Sequence, residues 1–100
     1  MATVTVTSLP DVITSGSTDE SELSIPELSY FEGFPRGAGG MILKVTVLTG
    51  SGIKFNNIGN AADSSLTVTT SNSPILITLP KGRNIHFKAT GADDTFMIEG

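Results

Sequence analysis

Residues 43–57, LKVTVLTGSGIKFNN, and residues 75–89, ILITLPKGRNIHFKA, carry one pattern twice. Val45-Thr46-Val47 aligns with Ile77-Thr78-Leu79 at an offset of 32 residues, and Gly50, Ile53, Phe55 and Gly59 align at the same offset with Gly82, Ile85, Phe87 and Gly91. Each copy runs on into a third apolar stretch, Leu66-Thr67-Val68 or Phe96-Met97-Ile98, the first after two extra residues. A strand, a glycine turn, a strand, a loop and a third strand produce such a pattern. Apolar side chains at every second position mark the strands, because successive side chains of a strand point to opposite faces. The pattern is either a duplication of a three-strand unit or the residue preferences that all strand–turn–strand units share.

The rest of the body follows from this reading. Residues 41–49 form an apolar strand, and Thr49-Gly50-Ser51-Gly52 a turn. Asn56 to Ser64 reads as a loop, and Ser71-Asn72-Ser73-Pro74 as a turn. Pro80-Lys81-Gly82 suits a type I hairpin turn, with Pro presetting φ and Gly in the left-handed region. Gly91-Ala92-Asp93-Asp94 turns the chain before a last strand at Thr95 to Glu99. Short strands with closely spaced turns predict an all-β fold, a small β-sandwich or jelly-roll-like domain.

Towards the N-terminus the pattern thins. Residues 2–9 contain Thr3-Val4-Thr5-Val6-Thr7, a strand with one apolar and one hydroxyl face, ended by Pro10. Residues 14–22 have the composition of a solvated linker. Leu23, Ile25 and then Leu28 suggest a short extended piece broken by Pro26, suited only to a sheet edge because proline lacks an N–H. Gly37-Ala38-Gly39-Gly40 then reads as a hinge. The expected division is an extended acidic Ser/Thr-rich arm with its hinge at 1–40 and a β-sandwich body at 41–100.

Charge supports that division. The chain of 100 residues has a net charge of −4. Residues 1–32 hold six acidic and no basic side chains, whereas residues 33–100 hold six basic against four acidic. Such an arm can pair with its own body or with a neighbouring copy. Nucleic acid is not an expected partner, because no basic patch would neutralise phosphates. No apolar run approaches the ~20 residues of a membrane helix. No charged n-region precedes an apolar h-region, so the expected place of synthesis and assembly is the cytoplasm. A short chain often supplements its core with disulfides, metals or oligomerisation. Cysteine is absent and no metal-ligand spacing is visible, which favours oligomerisation.

Candidate chemistry is sparse. His86, the one histidine, alternates with Asn84 and Lys88 on a polar strand face, where a loosely paired surface histidine is expected. Asp93-Asp94 lacks the oxygen-ligand spacing of a cation loop and suits a turn with side-chain capping. Gly50-Ser51-Gly52 and Gly37-Ala38-Gly39-Gly40 are not followed by Gly-Lys-Ser/Thr and open no helix, so neither cradles phosphate. No catalytic residue, cofactor or metal is expected. Tyr30, Phe31 and Phe34 are the interaction candidates, as anchors for another chain or as a cap on the domain's own core. Val4 and Val6 join them as the apolar face of a strand that could add to a neighbour's sheet. On this reading, removing residues 1–24 abolishes assembly and leaves the body folded.

The Thr/Ser-rich arm at 2–24, the hinge at 37–40 and the cysteine-free β body ending in Phe96-Met97-Ile98-Glu99-Gly100 resemble small structural proteins of tailed bacteriophages, such as capsid decoration or cement proteins and fibre bases. The resemblance implies a non-enzymatic virion component, assembled in the host cytoplasm. It further implies a homo-oligomer, a trimer in the favoured form, bound to the major capsid protein. No family motif is matched, so no functional residue carries over. The alternative expectation is a ligand-binding β-sandwich, a carbohydrate-binding or adhesion module.

Overall fold

Alternation in the sequence becomes alternation in burial. The computed structural model of the chain describes residues 2–25, 41–64, 66–79 and 84–100. These form nine strands: β1 (Ala2–Thr5), β2 (Asp11–Thr14), β3 (Ser21–Ser24), β4 (Met41–Thr49), β5 (Ile53–Asn56), β6 (Thr67–Val68), β7 (Ile75–Leu79), β8 (Ile85–Ala89) and β9 (Thr95–Glu99). One 3₁₀ turn, Ala61–Asp63, interrupts the loop before β6. Among the described residues there is no α-helix. In β8, Ile85, Phe87 and Ala89 are buried while His86 and Lys88 are half-buried on the other face.

Two sheets stack into a β-sandwich. The first has the order β1-β3-β8-β5-β6 and the second β2-β9-β4-β7. All pairings are antiparallel except β1 with β3. The chain crosses between sheets at almost every connection, and only β5 and β6 are consecutive neighbours in one sheet. Each crossing lets the inward faces of both sheets share one core, as stacked sheets about 10 Å apart require. Phe55 and Phe87 of the first sheet close on Phe96 of the second, with centroid distances of 5.2 Å and 5.1 Å in edge-to-face geometry. Around them Leu23, Leu43, Val45, Ile53, Leu79, Ile85 and Ile98 are fully buried. Each such side chain stabilises the fold by roughly 1.5–3 kcal/mol relative to exposure.

The doubled pattern is structural in its first two strands. β4 pairs with β7, with Lys44 opposite Leu76, and β5 pairs with β8, with Phe55 opposite Phe87. In both cases a residue faces its own counterpart in the other copy, which is the register of a two-fold relation. The third strands depart from it. β6 pairs with β5, whereas β9 lies between β2 and β4. Symmetry would place β9 beside β8, but β3 occupies that position. The repeat is therefore of two strands, and an N-terminal strand breaks it.

Three expectations change. First, residues 2–25 supply β1, β2 and β3 to both sheets of the body, where the sequence predicts a separate arm with a linker at 14–22. Val6, Ile13, Leu23 and Ile25 are buried in the common core. The linker composition misled because strands of four residues with Ser, Thr or Glu outward place few apolar side chains inward. Second, β3 is an interior strand between β1 and β8, not an edge. Pro26 lies just outside the described residues. Third, no hairpin joins β7 and β8, which belong to opposite sheets. A short Gly/Pro link between two alternating strands serves a hairpin and an inter-sheet corner equally well. Residues 80–83 and the hinge at 37–40 lie outside the described residues.

Candidate interaction surface

The outer faces of the two sheets differ in kind. On the first sheet, Thr3 and Thr5 of β1, Glu22 and Ser24 of β3, Asn84, His86 and Lys88 of or beside β8, and Lys54 and Asn56 of β5 alternate with the buried residues and face outward. This face is polar and charged. On the second sheet, the outward positions are Val12, Ile42, Leu76 and Met97, with Thr14, Lys44, Thr46, Thr78, Thr95 and Glu99 among them. Val12 is 56% exposed, Ile42 58% and Leu76 68%. Leu48 is 43% exposed, at the point where the β4–β9 register shifts between Val47 and Thr49. The described charges within this face are Lys44 and Glu99, which neutralise each other at 3.5 Å.

Register makes these residues one surface. Val12 faces Met97, which faces Thr46, in one row across β2, β9 and β4. Glu99, Lys44 and Leu76 form the next row, and Ile42 faces Thr78 in the one after. Leu76 also stands at the rim of a cleft of about 240 Å³ beside β7 and the end of β5, lined by Phe55, Asn57, Leu66, Ile77 and Thr78. An apolar sheet face continuing into a cleft is the kind of surface that another protein covers.

The acidic residues of the N-terminal segment are committed within the chain. Glu20 accepts hydrogen bonds from the amides of Ala61 and Ala62, at 2.5 Å and 3.2 Å, and so caps the 3₁₀ turn. Glu22 accepts from the Thr3 hydroxyl at 3.1 Å and from the Asn84 amide at 3.4 Å. His86 sits between them, Nδ1 3.4 Å from Glu20 and Nε2 3.5 Å from Glu22. Its two nitrogens face opposite ways, so the three side chains do not converge on a point where a cation would sit. No group of three or more potential metal-ligating side chains occurs among the described residues.

Asp94 is buried and turns the chain as the sequence suggests. Its carboxylate accepts from the Thr90 hydroxyl and the Gly91 amide, both at 3.1 Å. The Ser15 hydroxyl donates to the carbonyls of Gly91 and Ala92 at 2.8 Å and 3.0 Å, tying the end of β2 to the same turn. This is a structural lock and leaves the Asp94 oxygens turned into the protein.

The sequence-derived interaction residues fare differently. Val6 is fully buried and Val4 packs against the core, so both point inward. Among the described residues β1 is nonetheless an edge strand, paired on one side by β3. Tyr30, Phe31 and Phe34 lie outside the described residues. Sequence reasoning missed Val12, Ile42, Leu48 and Leu76. For Ile42 and Leu48 the signal was the strongly apolar run at 41–49, which reads as a strand that could be buried on both faces, and for Leu76 the apolar run at 75–77; Val12 lies outside both.

Comparison with protein-family models, with curated proteins and with solved structures found no match to this chain.

Proposed function

We propose that this chain is a non-enzymatic structural module that docks on other protein subunits through the outer face of β2-β9-β4-β7. The observation that carries the reading is the cluster of Val12, Ile42, Leu48 and Leu76 on a face whose charges cancel, opposite a face that is polar throughout. Burying these side chains against a partner gains roughly 25 cal/mol per Å² before the costs of association are counted. Further copies of this chain are the first partner, because the small core gains from an oligomer. A place in a bacteriophage virion, as a decoration protein on the major capsid protein, is the specific form of this reading and rests on the resemblance noted above. Asp94 is taken up by its own turn and serves the fold.

The test is light scattering on the wild type and on Val12→Lys/Leu76→Lys. The wild type is expected as a closed oligomer and the variant as a folded monomer that melts lower, because the stabilisation by association is lost. A variant that associates like the wild type removes the sheet face from the interface. A wild type that is monomeric at high concentration excludes self-assembly and calls for a foreign subunit.

A carbohydrate-binding reading has less support. Rings that stack on sugars must be accessible, and the described aromatic residues, Phe55, Phe87 and Phe96, are buried in the core.

A further inference from the structure

Two lysines are paired on the first sheet without a counter-charge among the described residues. Lys54 of β5 and Lys88 of β8 are direct cross-strand partners. Side chains so placed have Cβ atoms about 4.5–5.5 Å apart, and like charges there destabilise a sheet. The Lys88 ammonium donates to the Thr18 carbonyl at 2.6 Å, a neutral acceptor. Among the described residues no carboxylate lies within ion-pair distance of either lysine. Of the neighbouring acids, Glu20 accepts from Ala61 and Ala62, Glu22 from Thr3 and Asn84, and Asp94 from Thr90 and Gly91, while Asp19, next to Thr18, is exposed. Asp63 is exposed on the 3₁₀ turn.

Both lysines line a cleft of about 160 Å³ with Gly52, Ala62, Thr67 and Ala89. Small residues make the cleft. A side chain at Gly52 would meet the Thr67 methyl at 3.0 Å, and φ there is +143°. Among the described residues no carboxylate is set against this cross-strand lysine pair, which borders a hollow with small apolar walls.

We propose that this cleft binds a carboxylate carried on a short aliphatic stem. The carboxylate lies between the Lys54 and Lys88 ammoniums and accepts from both, and the stem rests on Gly52, Ala62 and Ala89. Two point-charge donors suit a monoanion. No arginine lines the cleft to grip a phosphate bidentately, and its small apolar walls suit an aliphatic stem. The ligand is either a glutamate side chain presented by another protein or a free short-chain acid. The site is on the sheet opposite the apolar face, so it stands or falls apart from the docking reading.

The experiment titrates the ¹⁵N-labelled full chain at constant ionic strength with glutarate, with an N-acetylated glutamate amide and with inorganic phosphate. Saturable shifts at Gly52, Lys54, Ala62 and Ala89 are expected from a carboxylate probe. Lys54→Gln should weaken that binding about tenfold, the loss of one charge-assisted contact. It should also raise the melting temperature of the ligand-free protein, because the repulsion is relieved. Binding of the glutamate amide points to a protein side chain, and binding of glutarate alone to a free diacid. The proposal is overturned if neither carboxylate gives saturable shifts, if phosphate alone does, or if Lys54→Gln/Lys88→Gln binds like the wild type.

Discussion

Gly50 shows how one position can be dictated by its surroundings. Its φ is +107°, and a Cβ placed there would lie 2.2 Å from Cγ of Asp94. The Asp94 carboxylate is buried and held by Thr90 and Gly91, so it has little freedom to retreat. Gly50→Ala is expected to destabilise by roughly 2 kcal/mol or more, through backbone strain and this clash together. The denaturant midpoint should fall with an unchanged slope. Glu20 makes a second case. Without its carboxylate, two amides of the 3₁₀ turn lose their acceptor. Glu20→Ala should cost about 1–3 kcal/mol, the usual range for leaving partly buried donors unpaired. An unchanged stability would mean that solvent serves those amides equally well. Neither role is readable from sequence. Gly50 is visible only as a turn, and Glu20 only as one acid in a solvated run, since its partners stand 41 and 42 residues away.

At the scale of elements, the strands of the body are the legible part. β4, β5, β7, β8 and β9 fall where alternation and turn residues put them. Their pairing partners are less legible, because alternation states which residues face inward and not which sheet a strand joins. The N-terminal strands show the consequence. β3 fills the position beside β8, and β2 covers the free side of β9. Deleting residues 1–24 removes the buried side chains of Val6, Ile13 and Leu23. That loss is roughly 5–9 kcal/mol of burial, against a typical total stability of 5–15 kcal/mol. It also opens the edges of two interior strands. The truncated protein should lack a cooperative thermal transition. A sharp melt near the wild-type temperature would restore the view of residues 1–24 as an arm on an autonomous body.

For the whole molecule, the asymmetry between faces matters most. A sandwich buries one face of each sheet in any case, so the outer faces are free to specialise. Here one carries Lys54, Lys88, His86 and Glu22, and the other Val12, Ile42, Leu76 and Met97. Association through the apolar face should respond weakly to salt, because its one described ion pair lies within the chain. The Val12→Lys/Leu76→Lys variant should therefore be monomeric at low and high ionic strength alike, while carboxylate binding at Lys54 and Lys88 persists in it.

By itself, the sequence determined the all-β class, the body strands and the inward residues of β5 and β8, because the two-residue period of a strand is a local property of the chain. Tertiary structure alone decided which strands became neighbours. It drew residues 2–25 into both sheets, split the third strands of the doubled pattern, and set Lys54 against Lys88 and Val12 beside Met97. Those outcomes depend on burying one shared core among strands far apart in sequence, and no local period encodes that choice.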